Sequence, residues 1–113
     1  MSDHIKLRKA PGTWVLRAGD AVLGETAAAI ELSEGQRPAV IYFPRADIAT
    51  VFLEPSATRT TCPHRGEAEY FSIVTPSATI KDAGWSYPNP PEALAAMAGH
   101  IAFHTDLVTV EQL

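Results

Sequence analysis

Apolar residues along this chain come in short blocks closed by turn-forming residues, and the blocks predict strands. Thr13 to Arg17 and Val22 to Thr26 flank the turn Ala-Gly-Asp-Ala, where Gly19 supplies positive φ and Asp20 a side-chain acceptor, so a β-hairpin is expected. Ala27 to Leu32 is weakly helical by composition and ends at Glu34-Gly35. Ala39-Val-Ile-Tyr-Phe43 is a continuous apolar run closed by Pro44, the pattern of a strand covered on both faces. Arg45 to Asp47 reads as a turn, and Ile48 to Leu53 as a second apolar strand stopped by Glu54-Pro55. Ser56 to Gly66 reads as a polar loop. Glu67 to Val74 and Ala78 to Tyr87 read as a hairpin around Thr75-Pro-Ser77, with Gly84 a candidate bulge. Pro88-Asn-Pro-Pro91 interrupts any ladder. Glu92 to Ala98 is the one helical segment, opened by proline and ended by Gly99. Ile101 to His104 and Leu107 to Val110 close the chain as two short strands.

Seven or so short strands with one short helix make the expected class mainly β, with no βαβ rhythm and no linker. Turns of two to five residues join antiparallel neighbours. The runs 39–43, 48–53, 67–74 and 79–87 are therefore expected to be antiparallel neighbours, with Tyr42, Phe71 and Phe103 well buried. A length of 113 residues suits a single domain spanning 1–113 and burying roughly two thirds of its unfolded surface.

Hydrophobic residues make up 46% of the chain and the formal net charge is −4, with no block of like charges. That balance speaks against a nucleic-acid binder, which needs a basic face. Cys62 is the single cysteine, so no intramolecular disulfide can form. The opening Met-Ser-Asp-His-Ile-Lys lacks an apolar segment of signal-peptide length. No apolar run approaches the ~20 residues that cross a bilayer. The expectation is a cytoplasmic protein that binds neither nucleic acid nor membrane.

Chemistry-bearing residues concentrate between Ser56 and Tyr70. A thiol gains nucleophilicity beside a cation, and Cys62 has His64 and Arg65 close by, so Cys62 and His64 are the catalytic candidates. Against this, free cysteine usually packs as a small hydrophobe, and packing is the favoured reading. His100 and His104 lie four apart, but on a strand that separates them by about 13 Å at ~3.3 Å per residue. With no second pair beside Cys62 and His64, no metal site is expected. Glu67 and Glu69 share a strand face, and a solvated face is favoured for them. The remaining set is Thr60, Thr61, Cys62 and Arg65 with Trp85 and Tyr87. Hydroxyls and a guanidinium can hold an anion, and two rings spaced by two on a strand can stack a planar group.

These residues carry a resemblance. Tyr42-Phe-Pro-x-x-Asp47, Leu53-x-x-Ser56, Thr61-Cys-Pro-x-Arg-Gly-x-Ala-x-Tyr70, Ala83-x-Trp-x-Tyr-x-x-Pro90 and Gly99-x-Ile-Ala-Phe103 together resemble domain-of-unknown-function family 427. This family of small bacterial domains is also labelled nucleotidyltransferase-like. The resemblance runs from about Trp14 to Val110, with Arg65 standing where lysine is usual. It implies a β-tent-like fold, two small antiparallel sheets with one short helix near 91–98, as in methionine sulfoxide reductase B and the ligand-binding domain of cereblon. Many β-tent proteins carry a four-cysteine zinc site, which a chain with one cysteine cannot build. The family implies no established activity. The nucleotidyltransferase label finds no Gly-Ser phosphate loop here to support it.

The leading functional expectation is a small-molecule binding module, with an anion the class the residues favour. Its pocket would be formed by the Thr60–Gly66 loop and the Trp85/Tyr87 face, with no cofactor. Arg65 on such a loop would matter for binding rather than for melting behaviour. Two alternatives stand beside it: an enzyme on a small substrate using Cys62 or His64, and a protein-interaction domain using an exposed strand edge. Ligand identity and oligomeric state stay open.

Overall fold

Tyr42 and Phe43 are adjacent and both buried, at 2% and 0% exposure. Successive side chains on a strand point to opposite faces, so this strand is covered on both sides, as its uninterrupted apolar run predicts. The computed structural model describes residues 5–113. Among them, ten strands form two antiparallel sheets. They are β1 (Ile5–Lys9), β2 (Trp14–Ala18), β3 (Ala21–Thr26), β4 (Ile30–Glu34), β5 (Val40–Pro44), β6 (Leu53–Cys62), β7 (Gly66–Thr75), β8 (Ala78–Ser86), β9 (His100–Phe103) and β10 (Thr109–Gln112). The larger sheet runs β1-β4-β5-β9-β8-β7-β6 and the smaller β10-β2-β3.

One face of the larger sheet, carrying Phe43, Phe71, Ile73, Ala83, Ile101 and Phe103, packs against Leu16, Ala18 and Leu23 of the smaller sheet. The opposite face carries Leu32, Tyr42, Ala68 and Ala102 and is roofed in part by Leu94 and Met97. The roof is a pair of 3₁₀ turns over Glu92–Met97, broken at Leu94, rather than an α-helix. Leu94 and Met97 are its two buried residues. Tyr42, Phe71 and Phe103 are all buried, and every named strand pairing is antiparallel.

Several segment expectations are corrected. The stretch 27–32 is not helical: Ile30 begins β4, and Leu32 is buried between β1 and β5. The run 48–53 is not a strand beside 39–43. Ile48 makes an isolated bridge to Gly24, and Thr50–Phe52 is a 3₁₀ turn. The Ala49 amide donates to the Leu23 carbonyl at 2.7 Å, and Thr26 Oγ1 donates to Asp47 at 2.7 Å. These bonds draw the connection across the smaller sheet, so β9 rather than 48–53 lies next to β5. The largest correction is 56–66. It is no loop, because β6 continues to Cys62 and the turn is only 63–65. Thr58, Thr60 and Thr61 are β-branched and suit a half-exposed edge strand. The closing strand lies at Thr109–Gln112, two residues beyond the expected start.

Two positions in β8 show how tightly this sheet is set. A Cβ on Gly84 would lie 2.7 Å from the Phe103 ring and 3.1 Å from the Ala102 carbonyl oxygen. The ring is buried and cannot swing away. Gly84→Ala is therefore expected to lower stability by about 1–3 kcal/mol, the usual cost of overpacking, as read by urea unfolding.

Asp82 has φ of 51° at a register shift in the β7–β8 pairing. Thr58 Oγ1 donates to its carboxylate at 2.7 Å, and its amide donates to Ser72 Oγ at 3.1 Å. The hydroxyls of Ser56 and Thr58 hold the carboxyl below its ordinary value. With a folded value below the unfolded ~3.9, the stabilisation is present above that unfolded value and is lost as pH falls through the depressed folded one. Asn tolerates this backbone region. Asp82→Asn should therefore flatten the acid limb of a stability–pH profile while leaving the bulge in place.

Candidate functional site

A row of side chains crosses the larger sheet: Tyr42 stands opposite Ala102, Ala102 opposite Trp85, and Trp85 opposite Tyr70. Ala102 is the small residue in the row. Across it the Trp85 indole N–H reaches the Tyr42 phenol oxygen at 3.3 Å, and the two rings meet edge-on at 6.4 Å. Tyr87 follows Trp85 by two and belongs to the same hydrophobic cluster. The pairing of residues 85 and 87 on one face is what period-two alternation predicts.

Over this row lies a cleft of about 280 Å³. It is lined by Tyr42, Tyr70, Trp85 and Tyr87 from below, by Arg65 from the β6–β7 turn, and by Glu34, Arg37 and His104 at its sides. All three tyrosines of the chain line it. His104 packs against Trp85 with ring centroids 4.6 Å apart.

Arg65 is held from two sides. One guanidinium nitrogen pairs with the Glu34 carboxylate, and Nη1 donates to Cys62 Sγ at 3.1 Å. The Arg65 and Glu34 side chains are only 15% and 13% exposed. Burial opposes the Arg65 charge, but the Cys62 sulfur and Glu34 outweigh it and raise its pKa further. Its Nε–H is buried with no acceptor among the described residues, an unmade bond of the kind that costs roughly 1–3 kcal/mol. Arg37 lies 3.9 Å from the same Glu34 oxygen. Two guanidiniums thus share one carboxylate at the side of the cleft. Burial pushes the Tyr42 phenol well above the ordinary tyrosine range and raises Tyr87 as well. Both phenols are neutral at physiological pH and keep an O–H to donate.

The sequence-derived site residues divide into four groups. Arg65, Trp85 and Tyr87 come together in the cleft. Cys62 is partly buried against the same cluster and bonded to Arg65, so its sulfur lies behind the guanidinium and does not line the cleft. Thr60 and Thr61 are exposed on the edge strand outside it, although the Thr60 hydroxyl lies 3.0 Å from the Tyr70 phenol at the rim. Their placement corrects the expectation that they line the pocket. A strand, unlike a loop, cannot fold successive hydroxyls inward. His64 sits in the turn at 63–65 and is not a lining residue. Among the described residues, no three His, Cys, Asp or Glu side chains gather as a metal set.

Tyr42, Tyr70, Glu34, Arg37 and His104 also line the cleft, although the sequence reading placed none of them in the pocket. Tyr42 offered a signal, since a phenol within a doubly covered strand must find a polar partner. Glu34 and Arg37 offered none, being placed by the pairing of β4 with β5.

No helix among the described residues is long and apolar enough to cross a membrane. The family described as domain of unknown function (DUF427) has a sequence model that matches residues 6–112. No curated protein matches the chain.

Proposed function

This chain belongs to the DUF427 family, whose description names no activity, and from the cleft we propose that the protein is a small-molecule binding module for an anionic ligand. The observation that carries this reading is the convergence of Arg65, all three tyrosines and Trp85 on one concave surface. Two cations against one carboxylate favour an anion there. Neutral phenols beside them add hydrogen-bond donors, and the Trp85 and Tyr87 rings offer apolar area for the rest of the ligand. The thiol reading gains no support from this geometry, because neither Cys62 nor His64 lines the cleft. A cytoplasmic setting is part of the proposal and fits a chain with one free cysteine.

Benzoate, a flat anion, is the simplest probe. Titrated into ¹⁵N-labelled protein, it should shift the Trp85 indole N–H and the amides around Arg65 and Tyr87 in a saturable way. The amides of the Gly19 and Ser77 turns should not respond. Shifts absent at saturating benzoate, or centred on those turns, would set the proposal aside.

A further inference from the structure

A second cleft, of about 450 Å³, adjoins the first and shares with it Trp85, His104, Pro38 and Val40. Resting on the anion-binding reading of the first cleft, we propose that the second takes a flat cationic group of the same ligand. The ligand is then a zwitterion whose anion and planar cation are separated by a short spacer running past Trp85.

The two clefts differ sharply in chemistry. Both tryptophans of the chain, Trp14 and Trp85, line the second one. Tryptophan is the ring that attracts a cation best. Its charged lining residues are Glu31 and Asp106, and no lysine or arginine lines it. Glu31 is paired with Arg8, whose side chain is 73% exposed and therefore in water rather than in the cleft. Asp106 is exposed, and no ion pair engages it among the described residues. The first cleft holds the reverse arrangement, two guanidiniums around one carboxylate. A ligand with a single charge would satisfy only one side of this pair.

The remainder of the second cleft is built for a flat body. Ile41, Phe103 and Val110 supply apolar wall, and it lies where Trp14 and Val110 of the smaller sheet meet the larger one. A pyridinium-like ring could set its face on an indole and turn its positive edge toward Asp106. A compact lysine-like ammonium keeps its water more tightly and gains less from aromatic walls. The shared lining places the two ends of the ligand on either side of the Trp85–His104 pair.

The test compares three probes on the full chain by calorimetry, with tryptophan fluorescence as a second readout. They are benzoate (anion only), N-methylpyridinium (cation only) and a series of N-(carboxyalkyl)pyridiniums with two to six methylenes. At one spacer length the zwitterion should bind at least ten-fold tighter than either single-charge probe. Asp106→Asn should remove most of that gain and leave benzoate binding unchanged. Benzoate binding with no spacer giving a ten-fold gain would overturn the zwitterion proposal while the anion reading stands. A gain that survives Asp106→Asn would overturn the assignment of the cation to this cleft. Failure of every probe to bind would overturn both.

Discussion

Phe43→Ala is expected to lower the unfolding free energy by about 3–5 kcal/mol, the range for removing a fully buried aromatic ring. Phe43 is completely buried and meets Phe103 edge-on, with ring centroids 6.4 Å apart. It lies in the cluster that joins the larger sheet to Leu16 and Leu23 of the smaller one. The other buried strand residues of that cluster come from β2, β3, β7, β8 and β9, so collapse around the vacancy would require several backbones to move together. A domain of this size has only about 5–15 kcal/mol to lose. Urea unfolding with an unchanged m-value measures the effect directly. A loss below about 1.5 kcal/mol would mean that the two sheets do not share the core described here.

Arg65→Ala is expected to act twice, on the fold and on binding. The change takes from the nearly buried Glu34 carboxylate its close, part-buried partner and leaves the exposed Arg37 at 3.9 Å. Breaking a buried pair by removing one member costs about 3–5 kcal/mol, and the remaining Arg37 should reduce this to about 2–4. The same variant removes a charged donor to the ligand, so anion affinity should fall by ~1.5–3 kcal/mol. The double variant Glu34→Gln with Arg65→Met separates these effects. Replacing both members of a buried pair by neutral groups of similar size is often close to neutral for stability. The double variant should therefore melt near the parent protein and still fail to hold benzoate. If it melts near the parent and binds as well as the parent, Arg65 is structural only.

The sequence expectation that Arg65 would leave melting unaffected assumed a loop arginine in water. Its partner explains the difference. Glu34 lies 31 residues away and arrives through the pairing of β4 with β5, which depends on strand order. Strand order was the least legible feature. Pro44 marked the end of β5, but Pro55 lies inside β6, and nothing local shows that β9, close to the C-terminus, enters between β5 and β8. Side-chain alternation was legible. It placed Trp85 and Tyr87 on one face and predicted that β5 would be covered on both. Polarity misled at 56–66, because Thr58, Thr60 and Thr61 look like loop residues in composition and yet are β-branched. An edge strand with one side in water accepts them. The same mistake put Thr60 and Thr61 inside the pocket and left out Tyr42 and Tyr70, which form its floor.

The most direct test of the anion cleft is a crystal structure of the protein soaked with benzoate. The predicted result is a carboxylate within hydrogen-bonding distance of Arg65 and at least one of the Tyr42, Tyr70 or Tyr87 phenols, with the ring against Trp85 or Tyr87. Benzoate bound away from Arg65, or a cleft that stays empty at saturating benzoate with its mouth clear of lattice contacts, would contradict it.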